Sequence, residues 1–499
     1  MQTNRGAPTP PIAFGGDAAG VRDRVEGSRV DVSAALRDQL AATGADVSAD
    51  AAEIGEASRD WWPLAMIWAL DDQVTARASV VVRPHSAAEV AAVLRLCNEA
   101  RVPVTAAAGR SGVCGASVPV FGGVLLDLTA LDGIVDVDKT SMLVNVLPGT
   151  FGDVFEDRLR DEYGATCGHW PQSMALSTVG GWIACRGAGQ LSTRYGKIED
   201  IVTGLDVVLA DGTLVTTGGA PRAAVGPDLT QLFVGSEGTL GIIVGARLRL
   251  HPLPPAEIRA AFAFTAFTEA LDAMRRIVQR GATPAVLRLY DPIEGDRSFK
   301  TGAANVLLAL DEGDAHVVEA TRRIVDEECS TADPLDIGLV EQWMGHRNDV
   351  SALEALISRG FVVDTMEIAA SWRALPDVYE RATAAILAVE HTMVASAHQS
   401  HSYTDGGCLY FTFAGKPPAA ERESYYRAAW DAGQRAVLAA GGALSHHHGI
   451  GLNRGRFVAD ALGAGFGVLQ TVKDALDPNG ILNPGKLGLA GPFGAVPWP

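Results

Sequence analysis

Three consecutive histidines stand in the interior of the chain, in the stretch SHHHGIG at residues 445–451. Because the pKa of an imidazole lies near neutrality, such residues can move protons, bind phosphate oxygens or ligate a metal ion. The segment is predicted to be a strand, in which His446 and His448 share one face and His447 takes the other. A metal site would need a third ligand from elsewhere, and no cysteine or carboxylate cluster lies nearby in the sequence. The triplet therefore indicates a functional site with proton chemistry, in preference to a metal site or to a strand that is merely polar.

Two other polar residues lie in apolar segments that resemble strands. Tyr410 lies in GGCLYFTFAG, where a buried phenol with a hydrogen-bonded hydroxyl is the usual structural explanation. If Tyr410 acts as a base, its pKa must be lowered by neighbours, and a nearby histidine could do this. Arg288 lies in PAVLRLYDP, where a structural ion pair with Asp291 is the alternative to a role in a reaction. Each residue is a candidate for the site, and each has a structural alternative.

Three glycine-rich segments precede these residues: AAAGRSGVCGASVP at 106–119, GHWPQSMALSTVGGWIACRGAGQLSTRYGKIED at 168–200 and GSEGTLGIIVGARLRL at 235–250. Glycine adopts positive φ without strain and lets backbone N–H groups approach a bound anion. The first segment matches neither GxGxxG nor GxxxxGK[ST], so alone it is equally consistent with a plain turn. A long hydroxyl-rich loop such as the second is costly to order without a ligand. Together the three segments indicate a long, phosphate-bearing cofactor.

The elements that must position these residues are of mixed type. A predicted strand at Val80 to Val82 precedes a helix whose N-cap is Ser86, with Glu89 completing a capping box. The dipeptide Asp211-Gly212 predicts a hairpin. The Pro-rich HPLPPAE stretch at 251–257 separates this unit from a second series of alternating helices and strands. The predicted fold class is therefore α+β.

Charge, cysteine content and hydropathy indicate which binding partners and which cellular location to expect. The formal net charge of −18 argues against a nucleic-acid partner, which needs a basic face. The six cysteines are scattered without a CxxC pair, which favours reduced thiols and a cytoplasmic protein. No apolar run approaches the roughly 18 residues of a membrane span, although peripheral contact with a membrane is compatible with the composition. The first twenty residues contain no apolar core of a signal peptide and are predicted to be disordered.

Five motifs occur along the chain in the order RPHSAAEV, GRSGVCG, STVGGW, EGTLG and DPNGILNPGKLG. Together they resemble the vanillyl-alcohol-oxidase-type FAD-binding family, also described as PCMH-type or FAD oxidase type 4. The resemblance implies bound FAD and an α+β fold, in which a two-subdomain PCMH-type FAD-binding domain precedes a ferredoxin-like α+β cap that binds substrate. The expected divisions are a leader at 1–75, the FAD-binding domain at 76–255, the cap at 256–450 and a C-terminal segment at 451–499 that packs back on the FAD-binding domain.

Carried over residue by residue, the resemblance assigns the cofactor to the three glycine-rich segments. The first segment would hold the diphosphate, and the other two would complete the cradle. The cofactor-binding residues that it implies are Ala107, Ala108, Gly109, Arg110, Ser111, Gly112, Gln172, Ser173, Ser177, Thr178, Cys185, Arg186, Gly187, Ala188, Glu237, Gly238, Thr239, Leu240, Gly241 and Ile243.

Within that family the chain is most similar to the alkyldihydroxyacetonephosphate synthases, chiefly through SHHHGIG, CLYFTFA and STVGGWIACRGAG. These enzymes exchange the acyl group of acyl-dihydroxyacetone phosphate for a long-chain alcohol, a step of ether lipid synthesis with no net redox change. The resemblance implies that Tyr410 is the acid/base and that Arg288 and the histidines lie beside the phosphate of the substrate. The catalytic residues that it implies are Tyr410, His446, His447, His448 and Arg288.

One departure from the synthase pattern concerns the acyl end of the site. The synthases hold the leaving carboxylate with an arginine, which would fall near Leu353, and Arg347 and Arg359 only flank that position here. An FAD-linked 2-hydroxy-acid or alcohol oxidoreductase of the same family is therefore the alternative, and a non-catalytic flavin-binding protein is a third hypothesis. The expected partners are a phosphorylated lipid substrate and a second copy of the chain in a homodimer, with no nucleic acid. The expected location is the cytoplasm, with membrane association left open.

Overall fold

Four short strands early in the chain form a sheet with a buried parallel centre. The computed structural model describes residues 3–25, 27–496 and 498. Three strands of the sheet run parallel, and the first strand in the chain lies antiparallel at one edge. In spatial order the strands are Asp46–Ser48, Val80–Arg83, Val124–Asp127 and Val104–Ala107. Almost every residue of the three parallel strands is buried, which is typical of parallel sheets.

Helix Ala87–Ala100 covers this sheet. It begins as predicted at Ser86, whose Oγ accepts a hydrogen bond from the Glu89 N–H at 3.2 Å. A carboxylate oxygen of Glu89 in turn accepts the N–H of His85 at 2.7 Å. The buried face of the helix consists of apolar residues at helical spacing, Val90, Val93, Leu94 and Cys97. The cap therefore sets where the helix begins, and the apolar stripe sets which side faces the sheet.

A second sheet is fully antiparallel. Its strands, in spatial order, are Leu214–Thr216, Val202–Val208, Ile242–Arg249, Leu143–Val146 and Ile134–Asp138. The hairpin predicted at Asp211-Gly212 is confirmed, since Val208 pairs with Leu214 and Gly212 has a φ of 81°. The helices that accompany this sheet are Gly152–Arg158, with a π-helical turn at Leu159–Tyr163, and Val179–Cys185, Ser192–Tyr195, Ile198–Ile201 and Leu229–Phe233.

The third sheet has seven antiparallel strands and accounts for most of the second half of the chain. In spatial order they are Asp333–Pro334, Ala256–Phe264, Asn305–Gly313, Val286–Tyr290, Thr392–Ser402, Gly406–Gly415 and Val362–Ser371. The helices of this half are Phe267–Gln279, Pro292–Phe299, Ala315–Glu328, Gly338–His346, Ser351–Ile357, Leu375–Leu387 and Arg422–Ala439. The predicted α+β class is confirmed.

The two faces of the third sheet differ in polarity. Along strand Gly406–Gly415, Leu409, Phe411 and Phe413 pack into an apolar core with the helices of this half. The alternate residues Tyr410 and Thr412 point to the opposite face and line a cavity. The two-residue period of the strands therefore separates the core from the side chains that can do chemistry.

Both ends of the chain pack against these sheets. The prediction of a disordered start is wrong for residues 3–20, and residues 1–2 lie outside the described part of the chain. Ile12 is buried, its carbonyl accepts a hydrogen bond from Arg59 at 2.7 Å, and the carbonyl of Thr9 accepts one from Trp61 Nε1 at 3.0 Å. The segment is ordered because the side chains of Arg59 and Trp61, about 50 residues later, donate hydrogen bonds to its carbonyls. A local sequence pattern cannot predict such distant partners.

Most of the remaining elements belong to the leader and the tail. The helices are Ala34–Ala41, Ala51–Ala57, Pro63–Ala69, Val458–Leu462 and Ala464–Leu476. Two pairs of short strands are Arg22–Asp23 with Gln73–Val74, and Ala165–Thr166 with His251–Pro252. Near the end of the chain, Ile481 accepts the N–H of Val104 at 2.8 Å, at the edge of the first sheet. Within the described residues, no helix is long and apolar enough to cross a membrane.

A buried hydrogen-bond network joins the leader to the third sheet. Trp62 Nε1 donates to the Tyr426 hydroxyl at 2.8 Å, and that hydroxyl donates to Asp364 Oδ2 at 2.5 Å. Trp430 Nε1 donates to the same carboxylate oxygen at 3.0 Å. Burial raises the pKa of Asp364 to about 7, even though these donors favour its charged form. The Tyr426 hydroxyl therefore adds a polar link to the apolar packing that already joins these two parts of the chain.

Replacing Tyr426 with phenylalanine tests this link. The Tyr426→Phe variant leaves the indole N–H of Trp62 without its partner, so we expect the free energy of unfolding to fall by about 1–3 kcal/mol. Denaturant titration of the purified protein measures the change. The control is Tyr163→Phe, at a half-buried tyrosine that packs under Lys139, where we expect less than about 0.5 kcal/mol. Equal stability of both variants would contradict a structural role for the network.

Candidate active site

The histidine triplet lies in a turn, so the predicted strand is wrong. Three successive backbone N–H groups, those of His446, His447 and His448, donate to Glu367 Oε1 at 3.3, 2.9 and 2.6 Å. The Ser445 hydroxyl donates to the same oxygen at 2.6 Å. Successive N–H groups that converge on one anion form a nest, a geometry that a strand cannot adopt because its N–H groups alternate in direction. The conformation of the triplet is therefore set by a carboxylate remote in sequence.

Glu367 keeps its charge because Arg454 pairs with it. Both side chains are fully buried, and Arg454 donates from Nη2 to Glu367 Oε2 and from Nη1 to the Leu444 carbonyl at 2.7 Å. Burial alone would raise the pKa of Glu367, but Arg454 and the neighbouring imidazoles hold that pKa well below its usual range. The carboxylate is therefore ionised at neutral pH and can accept all four hydrogen bonds.

Contacts from the first half of the chain hold the other side of the turn. Glu237 accepts the N–H of Ile450 at 2.6 Å and that of Gly451 at 2.8 Å. Gly449 has a φ of 80°, and a Cβ there would lie 2.4 Å from Glu237 Oε1, so only glycine fits. Lys197 donates from Nζ to the His446 carbonyl at 2.6 Å. The triplet is thus fixed between the predicted cofactor segments and the third sheet.

Arg288 belongs to a polar chain on the cavity face of the third sheet. Its Nη2 lies 2.6 Å from His398 Nε2, and His398 Nδ1 lies 2.7 Å from Glu294 Oε2. Burial lowers the pKa of His398 to about 4. Burial opposes the ionisation of Glu294, but His398 brings the pKa of that carboxyl down to about 2. At neutral pH the neutral imidazole therefore donates to the Glu294 carboxylate and accepts from Arg288.

The structural alternative for Arg288, an ion pair with Asp291, is not what the structure shows. Asp291 instead caps helix Pro292–Phe299, where Oδ1 accepts the N–H of Glu294 at 2.9 Å, and Oδ2 accepts the N–H of Ala397 at 2.6 Å. Arg288 Nε is buried without a hydrogen-bond partner among the described residues. The guanidinium therefore keeps an unused donor beside the cavity that it lines.

Tyr410 stands between two of the histidines. Its ring stacks on His398 with centroids 4.8 Å apart, and its hydroxyl lies 3.5 Å from His448 Nε2. The expectation that neighbours lower the pKa of Tyr410 is wrong, since burial and the nearby carboxylates raise it. Burial lowers the pKa of His448 to about 4. The pair is thus a neutral phenol beside a neutral imidazole, in which the phenol can donate and the imidazole can accept.

Two histidines of this site were not predicted from the sequence. His398 and His401 lie on strand Thr392–Ser402, in the stretch AHQSHSY, and both line the cavity. His401 lies against the triplet, with its ring stacked on that of His446 at a centroid separation of 4.9 Å. The sequence feature that could have predicted them is a pair of histidines three residues apart in a buried strand. No such feature marks Glu294 or Glu367, because an isolated glutamate in a sequence is usually a surface residue.

The three glycine-rich segments and the third sheet line one cavity of about 830 Å³. Most predicted cofactor residues contribute to its wall: Ala107, Ala108, Gly109, Arg110, Ser111, Gly112, Gln172, Ser173, Ser177, Thr178, Cys185, Gly187, Ala188, Glu237, Gly238, Gly241 and Ile243. Of the predicted catalytic residues, Arg288, Tyr410, His447 and His448 line the same cavity. Segments far apart in the sequence therefore share one chamber.

A few predicted site residues lie outside that wall. Arg186 is half-exposed and pairs with Glu199 at 3.2 Å. Thr239 and Leu240 are buried beneath the cavity, and the Thr239 hydroxyl donates to the Ser236 carbonyl at 2.7 Å. His446 is buried and is not part of the wall.

The cavity fits an extended, phosphate-bearing cofactor such as FAD. Each glycine-rich segment contains one non-glycine residue with positive φ, namely Arg110 at 56°, Arg186 at 60° and Glu237 at 50°. Such strain persists where surrounding structure enforces it, and it clusters at ligand clamps. A Cβ at Gly109 would lie 2.3 Å from the Leu176 carbonyl, so this glycine lets the first two segments meet. The wall is thus shaped by backbone, as a nucleotide cradle requires.

Arg347 lies at the cap side of the cavity, near the position where the sequence lacks an expected arginine. Its guanidinium lies over the rings of Trp170 and Trp343, at 4.9 and 5.7 Å from their centroids. Leu353 also lines the cavity, whereas Arg359 is exposed. Among the residues that the structure describes, none forms an ion pair or a hydrogen bond with the Arg347 guanidinium. Arg347 is therefore a cation available to an anionic ligand.

Removing the charge of Glu367 tests the role of the nest. The Glu367→Gln variant leaves Arg454 as a buried charge without its partner, so we expect the free energy of unfolding to fall by about 3–5 kcal/mol. Denaturant titration with bound flavin measures it. Glu341→Gln, on the exposed side of helix Gly338–His346, is the control and should change stability by less than about 0.5 kcal/mol. A Glu367→Gln protein of wild-type stability would show that the ion pair does not hold the turn.

Family models match both halves of the chain. Residues 78–218 match the FAD binding domain, and residues 253–487 match the C-terminal domain of the FAD linked oxidases. The first match contains two of the three glycine-rich segments, and the second contains all five predicted catalytic residues.

Individual proteins extend this likeness. The uncharacterised FAD-linked oxidoreductase YgcU of Escherichia coli strain K12 is 30% identical over 431 residues, which cover 82% of this chain and 88% of YgcU. The alkyldihydroxyacetonephosphate synthase of Dictyostelium discoideum is 30% identical over 455 residues, 83% of this chain and 74% of the synthase. A solved structure of an alkyldihydroxyacetonephosphate synthase superposes with a TM-score of 0.76 at 25% identity, covering 96% of this chain and 89% of that one. The likeness therefore includes both an oxidoreductase and a synthase.

Proposed function

Since the chain belongs to the FAD-linked oxidase family and has FAD as its cofactor, we propose that it is an alkylglycerone-phosphate synthase-type transferase. It would exchange the acyl group of an acyl-dihydroxyacetone phosphate for a long-chain alcohol. The observation that carries the proposal is the convergence of Tyr410, Arg288 and the histidine triplet on the cavity that the cradle segments line. Similarity to the synthases in sequence and in structure supports it.

The residues of the chain have distinct roles in this proposal. The Tyr410 hydroxyl is stacked on His398 and faces His448. It passes its own proton to the neutral His448 imidazole as it takes one from the substrate carbon beside the carbonyl, and the return of that proton restores the phenol. Arg288, with its unused Nε donor, and the cavity-facing His447 bind the phosphate. Bound FAD supplies the electron-accepting ring that makes substitution at that carbon accessible. The apolar core on the other face of the third sheet keeps water from reaching these residues through the sheet.

Arg347 takes the role of the arginine that is absent near Leu353. It lies in the cavity with no carboxylate partner among the described residues, and its flanking indoles reduce its hydration. Two glutamine side chains hold its segment against the second glycine-rich loop, since Gln190 donates to the Arg347 carbonyl at 2.9 Å and Gln172 to the Asp349 carbonyl at 3.1 Å. The leaving carboxylate of the acyl chain would pair with the Arg347 guanidinium.

An FAD-linked oxidoreductase acting on a 2-hydroxy acid is the second candidate. Its support is the likeness to YgcU and a site in which an arginine and neutral imidazoles could bind the carboxylate and accept the hydroxyl proton. Mixing the flavoprotein anaerobically with each substrate class separates the two. Release of fatty acid and incorporation of labelled alcohol support the synthase. Full flavin reduction by a 2-hydroxy acid, with transfer of the electrons to a dye, would contradict the synthase proposal and support the oxidoreductase.

The proposal includes a phosphorylated lipid as the substrate and a role for the reaction in ether lipid synthesis. The homodimer and the peripheral contact with a membrane stay predictions. They can be measured by light scattering and by flotation with phospholipid vesicles.

The Tyr410 hydroxyl is the first test of the reaction. We expect Tyr410→Phe to lower kcat by about 10²–10⁴-fold, the usual contribution of a positioned acid or base, while the flavin absorbance and bound FAD stay unchanged. Turnover of labelled alcohol into ether product measures this. Tyr379→Phe, at a tyrosine stacked on Phe267 in the apolar core side of the sheet, is the matched control and should keep its activity. Full activity of Tyr410→Phe would remove the assigned role.

Arg347 is tested by a charge-removing substitution. Arg347→Gln should raise KM for the acyl substrate by about 10- to 100-fold, the loss expected for a hydrogen-bonded charge, with a smaller effect on kcat. The exposed Arg359 provides the matched control, since Arg359→Gln should leave KM unchanged. If Arg359→Gln raises KM and Arg347→Gln does not, the carboxylate binds at the other flank of Leu353.

A further inference from the structure

Three imidazoles meet at the edge of the cavity, two of them on its wall. His401 comes from the end of strand Thr392–Ser402, and His446 and His447 come from the turn that Glu367 holds. One ring nitrogen of each lies within 4.8 Å of the corresponding nitrogen of the other two. The sequence supplied two adjacent ligands and no third, and the tertiary structure brings the third from a position 45 residues earlier than His446. Three histidines are the ligand set of many catalytic zinc sites.

The outward nitrogens of two of these rings already have partners. His401 Nδ1 lies 2.7 Å from the Ser192 hydroxyl, and His446 Nε2 lies 2.9 Å from the Tyr403 hydroxyl. If each ring donates its N–H to the hydroxyl oxygen, the opposite nitrogen of each ring carries a lone pair. Metal-binding histidines are oriented in this way, by a hydrogen bond from the nitrogen that does not bind the metal. The hydroxyls therefore prepare both rings to act as ligands.

The third ring faces the second at close range. His446 Nδ1 and His447 Nδ1 lie 2.9 Å apart. With His446 donating through Nε2 to Tyr403, its Nδ1 presents a lone pair toward His447. A tetrahedral zinc ion with Zn–N distances of about 2.0–2.1 Å needs its ligand nitrogens roughly 3.4 Å apart. The 2.9 Å pair would therefore open and the longer separations, up to 4.8 Å, would close as the rings rotate onto the ion.

The charges around the cluster have both signs. Lys197 contacts the His446 carbonyl, and Arg288 lies further along the sheet, so neither would favour a cation. The Glu367 carboxylate faces the backbone of the same turn and supplies negative charge, which Arg454 partly offsets. Imidazole nitrogens suit zinc, cobalt or nickel, whereas magnesium and calcium prefer oxygen.

We propose that His401, His446 and His447 bind one divalent transition-metal ion, with zinc as the representative case. His401 and His447 line the cavity, so the fourth position of the ion would open toward it. An oxygen of water or of a bound substrate would complete the coordination, next to Tyr410, whose ring lies 6.0 Å from that of His447. The site does not depend on the reaction proposed above, since it is defined by the chain without substrate.

Zinc binding by the FAD-loaded protein tests the proposal directly. The protein is treated with a chelator, dialysed and titrated with Zn²⁺ by calorimetry, and the bound metal is counted by mass spectrometry after gel filtration. We expect one zinc per chain, with Mg²⁺ unable to compete. His401→Asn and His446→Asn should each weaken binding by at least 100-fold, and Ser192→Ala should weaken it by about 10- to 100-fold.

The controls separate this site from adventitious binding and from misfolding. His316→Asn changes an exposed histidine on helix Ala315–Glu328 and should leave the affinity for zinc unchanged. Flavin absorbance and the unfolding transition show whether each variant is folded. The absence of bound zinc in the wild type, or undiminished binding by His401→Asn, overturns the proposal. Because no substrate is present, neither result bears on whether the chain is a synthase or an oxidoreductase.

Discussion

The buried ion pair between Glu367 and Arg454 is the interaction on which the site depends. Each charge is withdrawn from water, and each would be unpaired without the other, so the two must be present together. One oxygen of Glu367 receives three successive backbone N–H groups, which fixes the turn that carries the histidines. The stability of the fold and the placement of the imidazoles thus depend on the same contact, because breaking a buried ion pair is costly and this pair also holds the histidine turn.

The seven-stranded sheet supplies the second constraint. Its side chains alternate between an apolar core and the cavity, so a strand such as Gly406–Gly415 can stabilise the fold and carry Tyr410 without conflict. Arg288 and His398 occupy the same face on neighbouring strands and connect to Glu294 by hydrogen bonds. The buried polar groups in this arrangement form hydrogen bonds with one another, and this is why several of them can be buried at one site.

The cavity lies where the cofactor segments and the third sheet meet. Its cofactor side is shaped by glycines and by strained residues, and its other side is built from regular strands. Glu237 and Lys197 connect the two sides, since both bind the backbone of the histidine turn. The same contacts therefore hold the cofactor side of the cavity and the histidine turn together.

The sequence by itself determined the fold class, the cofactor and most of the cavity wall. Periodic apolar residues, a capping box and an Asp-Gly hairpin depend on neighbours within a few positions, and the glycine motifs are contiguous. Local patterns could not show that the histidine turn is a nest, that the first residues are ordered, or that burial raises the pKa of Tyr410.

Those features were decided by tertiary structure alone. The partners involved, Glu367 with His447 or Ser192 with His401, are tens to hundreds of residues apart. Their effect comes from desolvation and from hydrogen bonds that exist only after the sheets have packed. The sequence gives the chemical type of a side chain, such as a carboxylate or an imidazole. Its charge, its orientation and its hydrogen-bond partners depend on where the folded chain buries it.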